Sequence, residues 1–341
     1  MSQHEAADEA VSASMPAPGV PLREKDAGLT LAKIVKQSRP DESWNRVRKL
    51  ITSRRVSLNG VLCRDEARRV AAGDVFEIAD QPLRPPPDDD AVVLRHIDDV
   101  VVVVEKPSGM VARRHIAEID WPARRRRIQP SLDEVVLRLV AAETGFKRDP
   151  ADFPPKRRRS FARSVHRLDR DTSGLLVFAR GGDAEQNLIA QFSEHSVERV
   201  YQAVVRGRPD DGTIESWLVR DRGDGLRGSS KKDGEGRRAV THVRVLREFA
   251  GRSLVECRLE TGRTHQIRIH LSEAGHPVCG DRIYRGANSG DPAVDDSGAP
   301  RLALHACRLS FRHPSTGERM TFAADLPDDL SRFLDRLADG A

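Results

Sequence analysis

Apolar and polar positions along the chain fall into three textures. Residues 1–27, beginning MSQHEAADEAVSASMPAPGV, are small, polar and proline-bearing and show no apolar period, which predicts a disordered arm. From Leu29 the pattern becomes helical. Leu31, Ile34 and Val35 share one helix face, and Trp44, Val47, Leu50 and Ile51 share another. Asn59-Gly60 between Arg55–Leu58 and Val61–Cys63 predicts a hairpin, and Asp74–Ile78 predicts a third short strand after the Gly73 turn. Trp44, Leu50, Ile51 and Val56 are the expected core of this small α+β unit, residues 28–80. QPLRPPPDDD at 81–90 cannot enter a core and reads as a semi-extended linker.

The third texture, residues 91–341, is rich in strands. Strand-like runs fall at 91–95, 100–104, 175–179, 200–205, 242–247, 253–259, 267–271 and 303–311. Helical patterns cover 131–143, 184–194 and 328–338. Many strands with few helices predict an α+β fold with a mixed, largely antiparallel central sheet and flanking helices.

Composition narrows the partners. The formal charge is only +5, but it is unevenly placed. Residues 113–163 carry 14 Lys or Arg against 7 Asp or Glu, and residues 28–80 carry 11 against 7. Two basic clusters, Arg124, Arg125, Arg126, Arg127 and Lys156, Arg157, Arg158, Arg159, lie in the first of these stretches. Together with the basic small unit they favour a phosphate backbone as partner. Cysteines 63, 257, 279 and 307 have no CxxC spacing, which fits reduced thiols in the cytoplasm. No secretory signal and no membrane span is expected, because the valine run 100–104 is far too short and the first residues are acidic. GDGLRG at 223–228 lacks the apolar strand that a dinucleotide site requires, and His265 and His270 lack the HExxH zinc spacing.

HRLDRDTSGLLVFAR at 166–180 sets one carboxylate, Asp169, between two arginines and just before a Ser-Gly turn and an apolar run. The block has neighbours in a fixed order: EKPSGM at 105–110, ERVYQAVVRG at 198–207, TGRTHQIRIHLSEAGHPVCGDRIY at 261–284 and RLALHACRLSFRHP at 301–314. In this order and spacing the large unit resembles the RluA-type pseudouridine synthases. WNRVRKLITSRRVSLNGVLCRDEARRVAAGDVFEI resembles an S4-like RNA-binding module, whose cations here would be Arg46, Arg48, Lys49, Arg54 and Arg55.

The resemblance implies isomerisation of a uridine within structured RNA, with ribosomal RNA of the large subunit favoured over tRNA, by a monomer that needs no cofactor and no metal. It makes Asp169 the essential carboxylate, as nucleophile at the sugar or ring or as base at C2′. It makes Arg268 the cation that favours the ionised carboxylate, and Tyr201 the ring beside the base. Alternation of Ile267, Ile269 and Leu271 against Arg268 and His270 puts Arg268 on the pocket side of a strand. Arg167 is the implied filler of the gap left by an extruded uridine. Lys106, His166, Thr172 and Ser173 are the implied substrate-binding residues, and Tyr284 is a structural residue near the pocket rim. The family runs quickly from the KPxG block to the HRLDRDTSG block, whereas roughly sixty residues intervene here. Two other readings compete. One is a catalytically silent RNA-binding assembly factor. The other, a glycoside hydrolase, would need a second carboxylate in a motif.

Overall fold

The computed structural model describes residues 20–340, apart from 59–60, 80–81, 83–86, 115–125, 127–129, 148, 151–152, 154–156, 158–160, 224–225, 231, 233 and 286–294. It divides into two units, Met1–Pro86 and Pro87–Ala341.

The small unit contains β1 (Val20–Pro21), α1 (Leu31–Ser38), α2 (Trp44–Thr52), β2 (Val56–Leu58), β3 (Val61–Leu62) and β4 (Val75–Ile78). Its sheet runs β1-β4-β2-β3, all antiparallel. Thr30 and Ser43 start the helices by accepting from the amides of Lys33 and Arg46, which satisfies donors that a first turn leaves unpaired. Leu31, Ile34 and Val35 of α1 meet Val47 and Ile51 of α2 over Val56, Leu58 and Phe76 of the sheet. Two expectations fail here. Residues 20–27 are not part of a disordered arm: β1 pairs with β4, and Leu22 packs against the core. Trp44 is not in the core either. It is 49% exposed, because Val47 and Ile51 already fill the inner face of α2.

The large unit contains β5 (Val93–Ile97), β6 (Val101–Lys106), α3 (Leu132–Glu143), β7 (Arg163–Ser164), β8 (Ser173–Ala179), α4 (Gly182–Ser193), β9 (Glu198–Arg206), β10 (Gly212–Val219), β11 (Gly228–Ser229), β12 (Arg237–Phe249), β13 (Arg252–Leu259), α5 (Gln266–Glu273), β14 (Leu304–Arg312), β15 (Arg319–Ala323) and α6 (Asp328–Ala338). One sheet runs β11-β10-β12-β13-β9-β14-β8-β6-β5, with β15 on β14 and β7 on β8. Among the described strands only β14 and β8 pair in parallel, so the sheet is mixed and mostly antiparallel.

The central strands are apolar on both faces because helices cover both. Val102, Val104, Leu176 and Phe178 point to the side of α3 and α6. Val101, Val103, Leu175 and Val177 point to the side of α4. Full burial of a side chain such as Leu176 or Phe178 contributes roughly 1.5–3 kcal/mol.

The run 267–271, expected as a strand, is helix α5. Its alternation misleads because the helix is buried almost all round: Arg268 and His270 are as inaccessible as Ile267, Ile269 and Leu271. Each polar residue there has its own buried partner, so no amphipathic stripe marks the helix. Of the two basic clusters, Arg126 and Arg157 are the described members; Arg124, Arg125, Arg127, Lys156, Arg158 and Arg159 lie outside the described residues. Arg126 does not offer its charge to a polyanion. It is buried, and its guanidinium donates to Glu134 at 2.8 Å. Arg157 is exposed and stacks over the Phe153 ring at 4.1 Å.

Candidate active site

The loop 165–172 leads into β8 and carries Asp169. Its position follows from how β8 meets β14. Ser173 pairs with His305 and Gly174 with Ala306. Gly174 has φ +119, and a Cβ there would overlap the Ala306 backbone, so only glycine allows this approach. Ala306 also pairs with Tyr201 on β9. The loop that bears Asp169 and the strand that bears Tyr201 thus flank the same point of β14.

The EKPSGM turn grips this loop from below. Lys106 is completely buried, and its ammonium donates to the carbonyls of Pro107, Met110 and Arg170 at 2.9, 2.9 and 2.8 Å. The Gly109 amide donates to the same Arg170 carbonyl, and the Ser108 hydroxyl donates to the Asp171 carbonyl. Burial pulls the Lys106 pKa down to about 7, against the pull of Asp171 and Asp169. Lys106 therefore ties the loop together from beneath, with no exposed surface of its own.

Three neighbouring residues are held by the fold in a similar way. His166 accepts from the Val177 amide at 3.0 Å and stacks on Phe192, with ring centroids 4.5 Å apart. Burial, helped by Arg199, pushes its pKa down to about 3, so a neutral ring pins the loop to β8. Ser173 is buried and bonds to His305 at 2.9 Å, and Thr172 is buried beside it. These three shape the loop from inside. Arg167 is exposed at the surface of the loop.

Asp169 keeps 17% of its side chain exposed. Arg268, reaching out of α5, places one terminal nitrogen 3.6 Å from Oδ2, and His265 places Nε2 3.8 Å from Oδ1. Neither approach is a hydrogen bond, and among the described residues the Asp169 carboxylate accepts none. Arg268 itself is held by Asp281, which receives Nε at 2.7 Å and a terminal nitrogen at 2.8 Å. Burial opposes the charge on Arg268, but the hydrogen bonds and charge of Asp281 outweigh it and raise the pKa. Asp281 also accepts from the amides of Ile283 and Tyr284. Gly280, at φ +76, lets this turn run against the Arg301 backbone, where a side chain would collide.

Tyr284 completes the layer. Its ring lies under the Arg268 guanidinium at 5.1 Å, and its hydroxyl bonds to His265 Nδ1 at 2.9 Å. Tyr201 is buried to 7% exposure, and burial pushes its phenol up to about 12, so it stays protonated. The site is a carboxylate at the edge of a buried, cationic layer in which Arg268 is fixed by Asp281. Such an arrangement presents a carboxylate as nucleophile or base to a group that enters above it.

Sequence reasoning missed Asp281 and the role of His265. The signal for Asp281 was its place in the Gly-Asp-x-x-Tyr ending of the 261–284 block, which marked the block and gave the acid no role. Sequence reasoning also missed a cavity of about 400 Å³ that reaches to Thr264, next to His265. Arg220, Arg227, Arg237 and Arg263 line it. Arg227 and Arg237 fall in the charged, glycine-rich stretch 221–238, which reads from sequence as a loop with cations able to reach RNA, and nothing in the sequence joined them to Arg220 and Arg263.

Comparison with known proteins agrees with this architecture. The family described as RNA pseudouridylate synthase matches residues 100–273, and the S4 domain matches residues 29–76. The ribosomal large subunit pseudouridine synthase D of Zymomonas mobilis is 35% identical over 324 residues, covering 93% of this chain and 96% of that protein. The protein of the same name from Neisseria meningitidis serogroup A is 48% identical over 176 residues, 50% of this chain, and that stretch spans 46% of its own length. Human RNA pseudouridylate synthase domain containing 4 shares the fold, with a TM-score of 0.56, 24% identity and coverage of 72% of this chain and 93% of the human one. Fold, ordered motifs and relatives converge: the chain belongs to the RNA pseudouridylate synthase family and carries an S4 domain ahead of the synthase domain.

Proposed function

We propose that this protein converts uridine to pseudouridine in ribosomal RNA of the large subunit, with Asp169 as the catalytic carboxylate. The observation that carries the reading is Asp169 itself, which among the described residues accepts no hydrogen bond and lies beside a guanidinium that is fixed by another acid. The N1–C1′ bond breaks, the uracil turns, C5 bonds to C1′, the C5 proton leaves and N1 gains one. The reaction is an isomerisation and consumes no second substrate. Asp169 acts at the sugar or ring as nucleophile, or at C2′ as base. Either role requires the uridine to leave its stack, and Arg167 is suited to fill the gap. Tyr201 would lie against the base and Arg268 would hold the carboxylate in its charged form.

The choice of ribosomal RNA rests on the named relatives and on the S4 domain. Arg46, Arg48 and Lys49 are exposed on α2, with Arg54 and Arg55 at the turn that follows. The exposed Trp44 ring, one helical turn from Arg48, adds a face on which a base can stack. The arginine-lined cavity beside His265 suits the backbone phosphates around the target nucleotide. Such RNA would be met in the cytoplasm, and among the described residues no helix is long and apolar enough to cross a membrane. Tritium release from ribosomal RNA labelled at uridine C5, followed by pseudouridine mapping, tests the reading. Release at discrete sites in the large-subunit RNA is expected. No release from that RNA, with release from tRNA, would redirect the assignment.

A further inference from the structure

We propose that His265 belongs to the reacting centre: its Nε2–H donates to a carbonyl oxygen of the target pyrimidine and stabilises the charge that collects there as the N1–C1′ bond breaks. The inference rests on the proposed isomerisation and adds a residue to it.

Four observations carry it. His265 precedes α5 in the left-handed conformation, at φ 60 and ψ 16, an uncommon and strained one for a non-glycine residue, although histidine adopts it more often than most. The strain is not repaid by capping, because the side chain accepts from no amide of the helix. The ring packs edge-on to Tyr284, with centroids 5.5 Å apart and planes at 71°. Finally, Nε2 faces Asp169 across 3.8 Å, with the imidazole 24% exposed. That gap is too wide for a hydrogen bond between the two side chains. It leaves each free to engage a different atom of the same substrate.

Tyr284 fixes which ring nitrogen carries the proton. Its hydroxyl is buried, and among the described residues its hydrogen-bond partner is His265 Nδ1. If Nδ1 carried the proton, the phenolic proton would be left buried and unpaired. Tyr284 therefore donates to Nδ1, and the proton of the neutral ring sits on Nε2, the atom turned toward Asp169. Burial, only partly offset by Asp169, keeps the imidazole below its usual range, so the ring is neutral near neutral pH.

The chemistry needs such a donor. When the N1–C1′ bond breaks, its electron pair stays with the base and spreads onto O2 and O4. Asp169 meanwhile engages the sugar or the ring. O2 is bonded to the carbon next to N1, so it lies on the side of the ring nearest the cleaved bond. A donor beside Asp169 is suited to O2. It stabilises more charge in the transition state than in the bound uridine, which is what raises a rate. The imidazole keeps its proton throughout, and the proton balance of the isomerisation is unchanged.

The test uses a synthetic RNA carrying the mapped target as uridine or as 2-thiouridine, because sulfur is a weak acceptor. Single-turnover rates are measured for the wild type, His265→Asn and Tyr284→Phe. Asparagine tolerates the left-handed backbone and is too short to reach the same point. Wild-type turnover of the uridine RNA is read first, and its absence overturns the functional reading and this inference together. With turnover present, His265→Asn should lower the rate on the order of 10²-fold with little change in RNA affinity. Its preference for oxygen over sulfur should fall by about tenfold relative to the wild type. Tyr284→Phe, which frees the tautomer, should lower that preference by less. A folded His265→Asn protein with the wild-type rate overturns the inference. So does a slower one that keeps the wild-type oxygen-to-sulfur ratio, since His265 would then act on structure alone. Should His265→Asn fail to fold, an unchanged ratio in Tyr284→Phe overturns it.

Discussion

The large unit holds two clusters in which arginines meet carboxylates away from solvent. In the first, Glu134 on α3 accepts from Arg114 at 3.2 and 2.6 Å and from Arg126 at 2.8 Å. All three side chains are at most 8% exposed, and both carboxylate oxygens are engaged. Burial opposes the charge on Glu134, but the bonds and charge of Arg114 and Arg126 outweigh it and lower its pKa. In the second, Asp281 satisfies Arg268 with the same two-pronged geometry, while Asp169 stands 3.6 Å off and accepts no hydrogen bond among the described residues. One cluster is closed, and the other carries an extra carboxylate that the fold does not use. A buried ion cluster does not in itself mark a site. The acid left over does.

The comparison breaks if the closed cluster proves dispensable. Glu134→Ala removes the buried carboxylate to which both guanidinium groups donate, and it should destabilise the protein by about 3–5 kcal/mol. A urea melt that shows less than 1 kcal/mol would mean that the cluster is solvated and the contrast empty. The comparison sharpens at Asp281. Asp281→Asn loosens the bonds that aim Arg268, and misplacement on the scale of 1 Å should cost roughly 10²-fold in kcat. RNA affinity should hold, because the change lies beneath the site. An unchanged kcat in folded protein would show that Arg268 needs no such fixing.

Lys106 supplies the smallest effect. It is a buried cation whose pKa falls from 10.5 to about 7, so between those values the unfolded chain binds more protons than the folded one. Its contribution makes the protein more stable as pH rises from about 7 toward 10.5, by at most about 1.4 kcal/mol per pH unit. Denaturant melts at pH 7 and pH 9 should show that slope in the wild type and lose it in Lys106→Met. Equal slopes would mean that the ammonium stays charged in its three-carbonyl cage across the whole range.

Legibility of the sequence followed the physics of each element. α6 was readable at 328–338 because one face is apolar and the other charged, with Leu330, Phe333 and Leu337 buried. β8 was readable as an unbroken apolar run because both sheet faces are covered. β10 and β15 were missed because they are mostly half-exposed and carry charge within the strand. α5 was misread because burial on every side erases helical periodicity. The proximity of Asp169 to Arg268 was implied by the family resemblance, although the strand argument offered in its support was wrong. The pairing of Asp281 with Arg268 and the tautomer of His265 were not accessible, because both depend on how the turn after α5 folds back on the helix, which the motif order alone does not fix. Trp44 shows the opposite failure: a large apolar residue at helical spacing reads as core whether or not the core has room for it.

The most direct measurement pairs turnover with stability in Asp169→Asn. The substitution keeps the shape of the side chain and removes a charge to which the fold makes no hydrogen bond. We expect pseudouridine formation to fall by at least about 10³-fold. We expect unfolding free energy to stay within about 1 kcal/mol of wild type. Retained turnover, or a loss of turnover that merely follows a loss of stability, would contradict the claim that Asp169 is held for the substrate and not for the fold.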